Sequence, residues 1–176
     1  MNALKSALVA CALLTAAGQS LAADTTTFDV RITVLKACTI TAAAATDIDF
    51  GSVLYDSTAN VDAQGSVTAR CTPLTPYSIA LDAGANAGTA NDVNTRRMIN
   101  TDGSVTTNNY VAYQLYRDAA RSQVWGSTAG TGGNVQTGTG SGSNQVYDVY
   151  GRVADPSANN AAAGSYVDTI TATIIY

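Results

Sequence analysis

Apolar residues in this chain recur at every second position, and nowhere hold the three-to-four spacing of a helix. The first such run is Thr25–Val34. Phe28, Val30, Ile32 and Val34 share one face, while Asp29, Arg31 and Thr33 take the other, which predicts a β-strand with one apolar side. Cys38-Thr39-Ile40 continues the extended pattern, and Ile48 and Phe50 alternate around Asp49 before Gly51. Val67, Ala69 and Cys71 form the next inward series. Tyr77, Ile79 and Leu81 form another, separated from it by Pro73 and Pro76, which interrupt a ladder. Met98-Ile99-Asn100 is a short extended piece. Tyr110–Tyr116 reads as a single strand with ring or aliphatic surface on both faces, and Val146–Val153 as another. Tyr166–Tyr176 reads as the last strand, with Tyr166, Asp168, Ile170, Ala172, Ile174 and Tyr176 in one parity. Between these lies Gly126–Gly142, with seven glycines, which predicts a mobile loop or a meandering hairpin connection. Ala42–Ala45 and Ala161–Ala163 are too short to stand as helices. Short strands separated by turn signals imply a two-layer β-sandwich.

The front of the chain changes where this sandwich is expected to work. Met1–Ala22 has the form of a secretory signal: Lys5, a short apolar run over Ala7–Ala17, and a small-residue cleavage site at Ser20-Leu21-Ala22. The run is too short and too alanine-rich to span a bilayer. Cys11 leaves with that leader, so Cys38 and Cys71 remain. In an oxidising compartment such a pair reads as one disulfide, worth roughly 3–4 kcal/mol in the chain-entropy picture.

Charge and residue types remove most other functions. The formal net charge is −4, and all 13 acidic residues are aspartate, which argues against nucleic acid and gives no attraction to anionic lipid. Histidine is absent, Lys36 is the one lysine beyond the leader, and there is no Gly-x-Ser-x-Gly elbow. Asp47 and Asp49 flank Ile48 on one strand face, the kind of carboxylate pair that acid–base chemistry uses, but nothing else points to an enzyme. The chain lacks a zinc ligand set, a calcium loop and the lysine of a phosphate loop, so neither metal nor cofactor is expected. Tyr77, Tyr113, Trp125, Tyr150 and Tyr166 read mainly as core, with a carbohydrate platform on Trp125 and nearby tyrosines as the alternative. Asp168 is costly in an inward parity unless paired, so it and Tyr166 are expected near the strand's beginning, where loop donors reach them.

The two ends carry the functional signal. Thr169–Tyr176 is strongly β-forming and has neither lysine nor proline to blunt it, so at a sheet edge it is an open template. Either the segment Phe28–Val34 is the molecule's own first strand, or one molecule's front strand covers another molecule's last strand.

At this point the residues resemble the spore coat protein U domain family, which includes major subunits of archaic chaperone–usher pili. The matching landmarks are Ala37-Cys38-Thr39-Ile40, Ile48-Asp49-Phe50-Gly51, Gly65 through Cys71, Pro76 through Gly84, Arg97-Met98, and Tyr113-Gln114-Leu115-Tyr116-Arg117-Asp118. Val124-Trp125-Gly126, Val149 through Val153, and Ala163 through Thr171 with Tyr176 complete the order. The resemblance implies an all-β fold: an incomplete immunoglobulin-like β-sandwich completed by donor-strand exchange. It implies a donor segment at 23–36, with Phe28, Val30, Ile32 and Val34 facing inward, ahead of a pilin domain at 37–176. The acceptor strand would carry Tyr166, Ile170, Ala172, Ile174 and Tyr176, and Cys38 and Cys71 match the family's disulfide positions. The implied partners are other copies of the chain head-to-tail, a periplasmic pilus chaperone, an outer-membrane usher and a tip adhesin. The implied route is through the periplasm to a cell-surface fimbrium that supports attachment and biofilm formation. Room for one domain favours a shaft subunit. The rival reading is a secreted coat or carbohydrate-binding module acting as a monomer.

Overall fold

The computed structural model describes residues 24–42 and 47–176, so the leader expected at 1–22 lies outside the described residues. The chain divides into two units between Thr33 and Val34.

In the first unit, residues 24–33 belong to no strand or turn. Phe28, Val30 and Ile32 are 85 %, 87 % and 89 % exposed, and Arg31 pairs with Asp29 on the other parity. The strand pattern is present without a ladder, because a strand exists only where a partner takes its backbone hydrogen bonds.

The second unit is an all-β sandwich. One sheet runs β1 (Cys38–Thr41), β2 (Val61–Cys71), β8 (Gln145–Val153) and β6 (Gln114–Tyr116), in the order β1-β2-β8-β6. Facing it are β10 (Ala172–Ile175), β3 (Pro76–Leu81) and β7 (Gln136–Thr139), then β5 (Tyr110–Ala112), β4 (Arg97–Asn100) and β9 (Tyr166–Val167). All pairings are antiparallel, with Cys38 opposite Cys71, Val67 opposite Tyr147, and Ala172 opposite Leu81. Alternation sets the core. Val67, Ala69 and Cys71 from β2 meet Tyr77, Ile79 and Leu81 from β3, with Val149 and Val153 from β8 and the fully buried Trp125 between them.

Three elements depart from simple alternation. Tyr110–Tyr116 is two strands, because the chain changes sheets at Tyr113. β5 pairs with β4 and β6 with β8, while the Tyr113 amide donates to Arg96 O at 3.1 Å. Tyr166–Tyr176 is also two strands. β9 pairs with β4 and β10 with β3, and residues 168–171 between them bond to the loop after β3 (Ala85 N to Thr169 O, 3.1 Å; Asp82 N to Thr171 O, 3.1 Å). The glycine-rich run is a hairpin connection: Gln136–Thr139 joins the sheet beside β3, and Asn134 is stitched to Gly126 and Thr128. Its glycines serve close approach, since a Cβ at Gly138 would stand 2.6 Å from the Tyr77 ring and 2.4 Å from the Tyr147 hydroxyl.

Candidate functional site

Among the described residues β1 pairs only with β2 and β10 only with β3, so each is the edge of its sheet. Beside the end of β1, at Ala42, and the start of β10, at Ala172, opens a largely apolar groove of about 340 Å³. One wall is Ile48 and Phe50, which join no strand. They rest on Gly151 of β8, where a Cβ would come within 2.8 Å of both side chains. Asp49 turns the chain after them by accepting from the Gly51 amide at 2.8 Å, with Gly51 at φ +68°. The floor comes from the core: Val67, Leu81, Met98, Leu115 and Val149.

The opposite wall carries Tyr166, Ile170 and Ala172 of the expected acceptor residues. Ile174 packs against the core instead. Tyr176, with Ile175, faces a separate hollow beside Pro76, Tyr77 and Gly138. The break at 168–171 separates these two groups, and no period-two pattern reveals a strand that leaves one neighbour for another. The remaining expected residues are each described within their own unit. Val34 is exposed, as are Phe28, Val30 and Ile32 in the first unit. Cys38 and Cys71 form a disulfide that joins β1 to β2. Beside it, Thr72 takes the Ala37 amide on its hydroxyl at 3.1 Å and gives its own amide to Ala37 O at 2.9 Å.

Asp47, Ser66 and the hydrogen-bonded pair of Tyr113 and Asp168 interrupt the apolar lining. Asp168 Oδ2 accepts from the Tyr113 hydroxyl at 2.7 Å, and Oδ1 accepts from the amide and the side chain of Asn86 at 3.1 and 2.9 Å. Loop donors do reach Asp168, as its parity required. Gly84, at φ +83°, leaves room for the carboxylate, since a Cβ there would overlap it. Burial, then the bond to Asp168, pushes the Tyr113 hydroxyl far above its ordinary value.

Arg96 escaped the sequence reading because it follows no periodic pattern. It is almost fully buried, and its guanidinium donates to Leu81 O, Asp82 O, Trp125 O and Gln114 Oε1, tying the loop after β3 to the core. Burial lowers its pKa. The carbohydrate platform considered for Trp125 is ruled out by the same packing. The indole is fully buried and donates Nε1 to Ile79 O at 2.9 Å, so no sugar can stack on it. Among the described residues, no group of three or more Asp, Glu, Cys or His side chains could hold a metal ion.

An immunoglobulin-like β-sandwich with an apolar groove along one edge is the class of protein that this geometry defines. The chain belongs to the Spore Coat Protein U domain family, whose model matches residues 24–173. It is 34 % identical over 188 aligned positions to "Protein U" of Myxococcus xanthus, with both chains covered in full. Its fold is similar (TM-score 0.55, 23 % identity) to a chain in the crystal structure of the CsuC–CsuE chaperone–tip adhesion subunit pre-assembly complex, from the archaic chaperone–usher Csu pili of Acinetobacter baumannii. That match takes in 82 % of this chain, which spans 40 % of the matched one.

Proposed function

We propose that this chain is a shaft subunit of an extracellular chaperone–usher pilus, polymerised when the front segment of one copy completes the sandwich of another. The observation that carries this reading is the largely apolar groove open at the side of the sandwich, in a chain that also bears an exposed alternating segment. Family membership and the shared fold support it.

In this reading Phe28, Val30, Ile32 and Val34 of the donor dock against the core side chains that floor the groove. At one inward side chain per two residues, the four return about 6–12 kcal/mol before ordering costs. Backbone hydrogen bonds to the last strand fix the register. A slip of one residue would bury Asp29 and Arg31, so the alternation protects its own alignment. Before assembly a periplasmic chaperone lends a strand to the same groove, and an outer-membrane usher is where the next subunit replaces it. The finished fibre stands on the cell surface and serves attachment and biofilm formation.

Heating in SDS tests the reading. Strand-exchanged polymers give ladders that collapse only near boiling, and Ile32→Asp abolishes the ladder while leaving the folded subunit. A single band at every temperature for the unaltered chain would instead identify a self-complete monomer.

A further inference from the structure

Leu74 is out of place on two physical grounds. It occupies the third position of the turn Thr72–Thr75, closed by Thr75 N to Thr72 O at 3.1 Å, with φ +63°. That position asks for glycine or asparagine, and a leucine there is strained. Its side chain is also 85 % exposed, so nothing within the sandwich compensates the strain. Strain held beside unburied apolar surface marks a contact with something outside the molecule.

The fold identifies the surroundings. Thr72, two residues before Leu74, bonds to Ala37 and to Leu35 O, so the exposed Val34 and Leu35 stand at the same pole of the sandwich. The opposite pole, at the far end of β2, carries another exposed apolar group, Val53, Leu54 and Tyr55. The turn Leu54–Ser57 is fixed there by Ser157 N to Ser57 O at 3.0 Å. The last strand runs from that far pole, where Tyr166 bonds Ala162 and Asn108, towards the Leu74 pole, where Ile175 lies opposite Ser78.

This polarity determines which surfaces meet, and the step rests on the strand-exchange reading above. The front segment leaves the sandwich at the Leu74 pole. Docked antiparallel to the last strand, as every pairing between the described strands is, its root stands at the preceding copy's far pole in a head-to-tail chain of copies. The geometry points to a second contact between successive copies: the Leu35–Leu74 pole of one against the Val53–Tyr55 turn of the copy before it.

Polymers of the full chain, assembled with its chaperone and usher, test this by their dissociation rate in SDS at fixed temperature. Leu74→Asn and Leu54→Asn should each speed dissociation roughly ten-fold to a hundred-fold, with subunit yield unchanged. The double variant should be slower than the product of the two, because the side chains share one contact. Leu74→Gly, which also suits the turn, guards against a misfolded variant. Polymers of Leu74→Asn and Leu54→Asn that dissociate at the unaltered rate would overturn the contact while leaving strand exchange intact. Failure of the unaltered chain to polymerise, or normal polymers from Ile32→Asp, would remove strand exchange and the contact with it.

Discussion

Tyr113 and Asp168 place a hydrogen-bonded carboxylate beside the apolar floor of the groove, and their bond has a pH signature. The hydroxyl's folded value lies far above its ordinary value of 10.0, because burial and then Asp168 disfavour the phenolate. Above about pH 10 the unfolded chain loses a proton that the folded chain keeps. Stability is therefore fully present below that pH and falls as pH rises, by about 1.4 kcal/mol per pH unit. Tyr113→Phe is expected to flatten part of this alkaline loss in chemical denaturation. It should also cost about 1–3 kcal/mol at neutral pH by leaving Asp168 Oδ2 without its donor. The parity of Asp168 made its need for a partner legible in the sequence. Which residue answers it was not legible, since Tyr113 lies 55 positions away.

At the scale of elements, the alternating strands are where sequence and fold agree best. β2 and β3 bury the residues that their pattern assigns inward, and β8 forms where a strand was expected. The glycine-rich connection agrees only in outline, because its glycines reflect what packs on them. Tyr77 and Tyr147 share a 2.6 Å hydroxyl contact directly over Gly138. Gly138→Ala is expected to force this pair apart and lower stability by about 1–3 kcal/mol. Gly130→Ala, with open space but φ +94°, should cost only backbone strain. Thermal melts of the two variants separate the effects. The strand changes at Tyr113 and at 168–171 left no mark in the pattern, because alternation continues through a change of neighbour.

The whole molecule joins a closed core to an open edge. The disulfide ties β1, the strand nearest the front segment, to β2 across a sequence separation of 33. Cys38→Ser should cost about 3–4 kcal/mol, and so lower secreted subunit yield more than it weakens finished fibres. Equal yield with fragile fibres would contradict that order. On the proposed strand exchange, deleting Thr25–Val34 is expected to leave chaperone binding in place and to abolish capping of the preceding subunit, as native gels of the chaperone complex and of polymers can show.

By itself the sequence determined the β class, the strand faces, the disulfide pair and an alternating apolar front segment. These are local properties: a two-residue period and a pair of cysteines state them without reference to the rest of the chain. Only the tertiary structure decided that Ile170 and Ala172 line the groove while Ile174 and Tyr176 do not, that Arg96 holds a loop to the core, and that Leu74 stands strained and exposed at one pole. Each depends on which backbone groups meet across the sandwich. Such partners lie tens of residues apart, where no local period reaches.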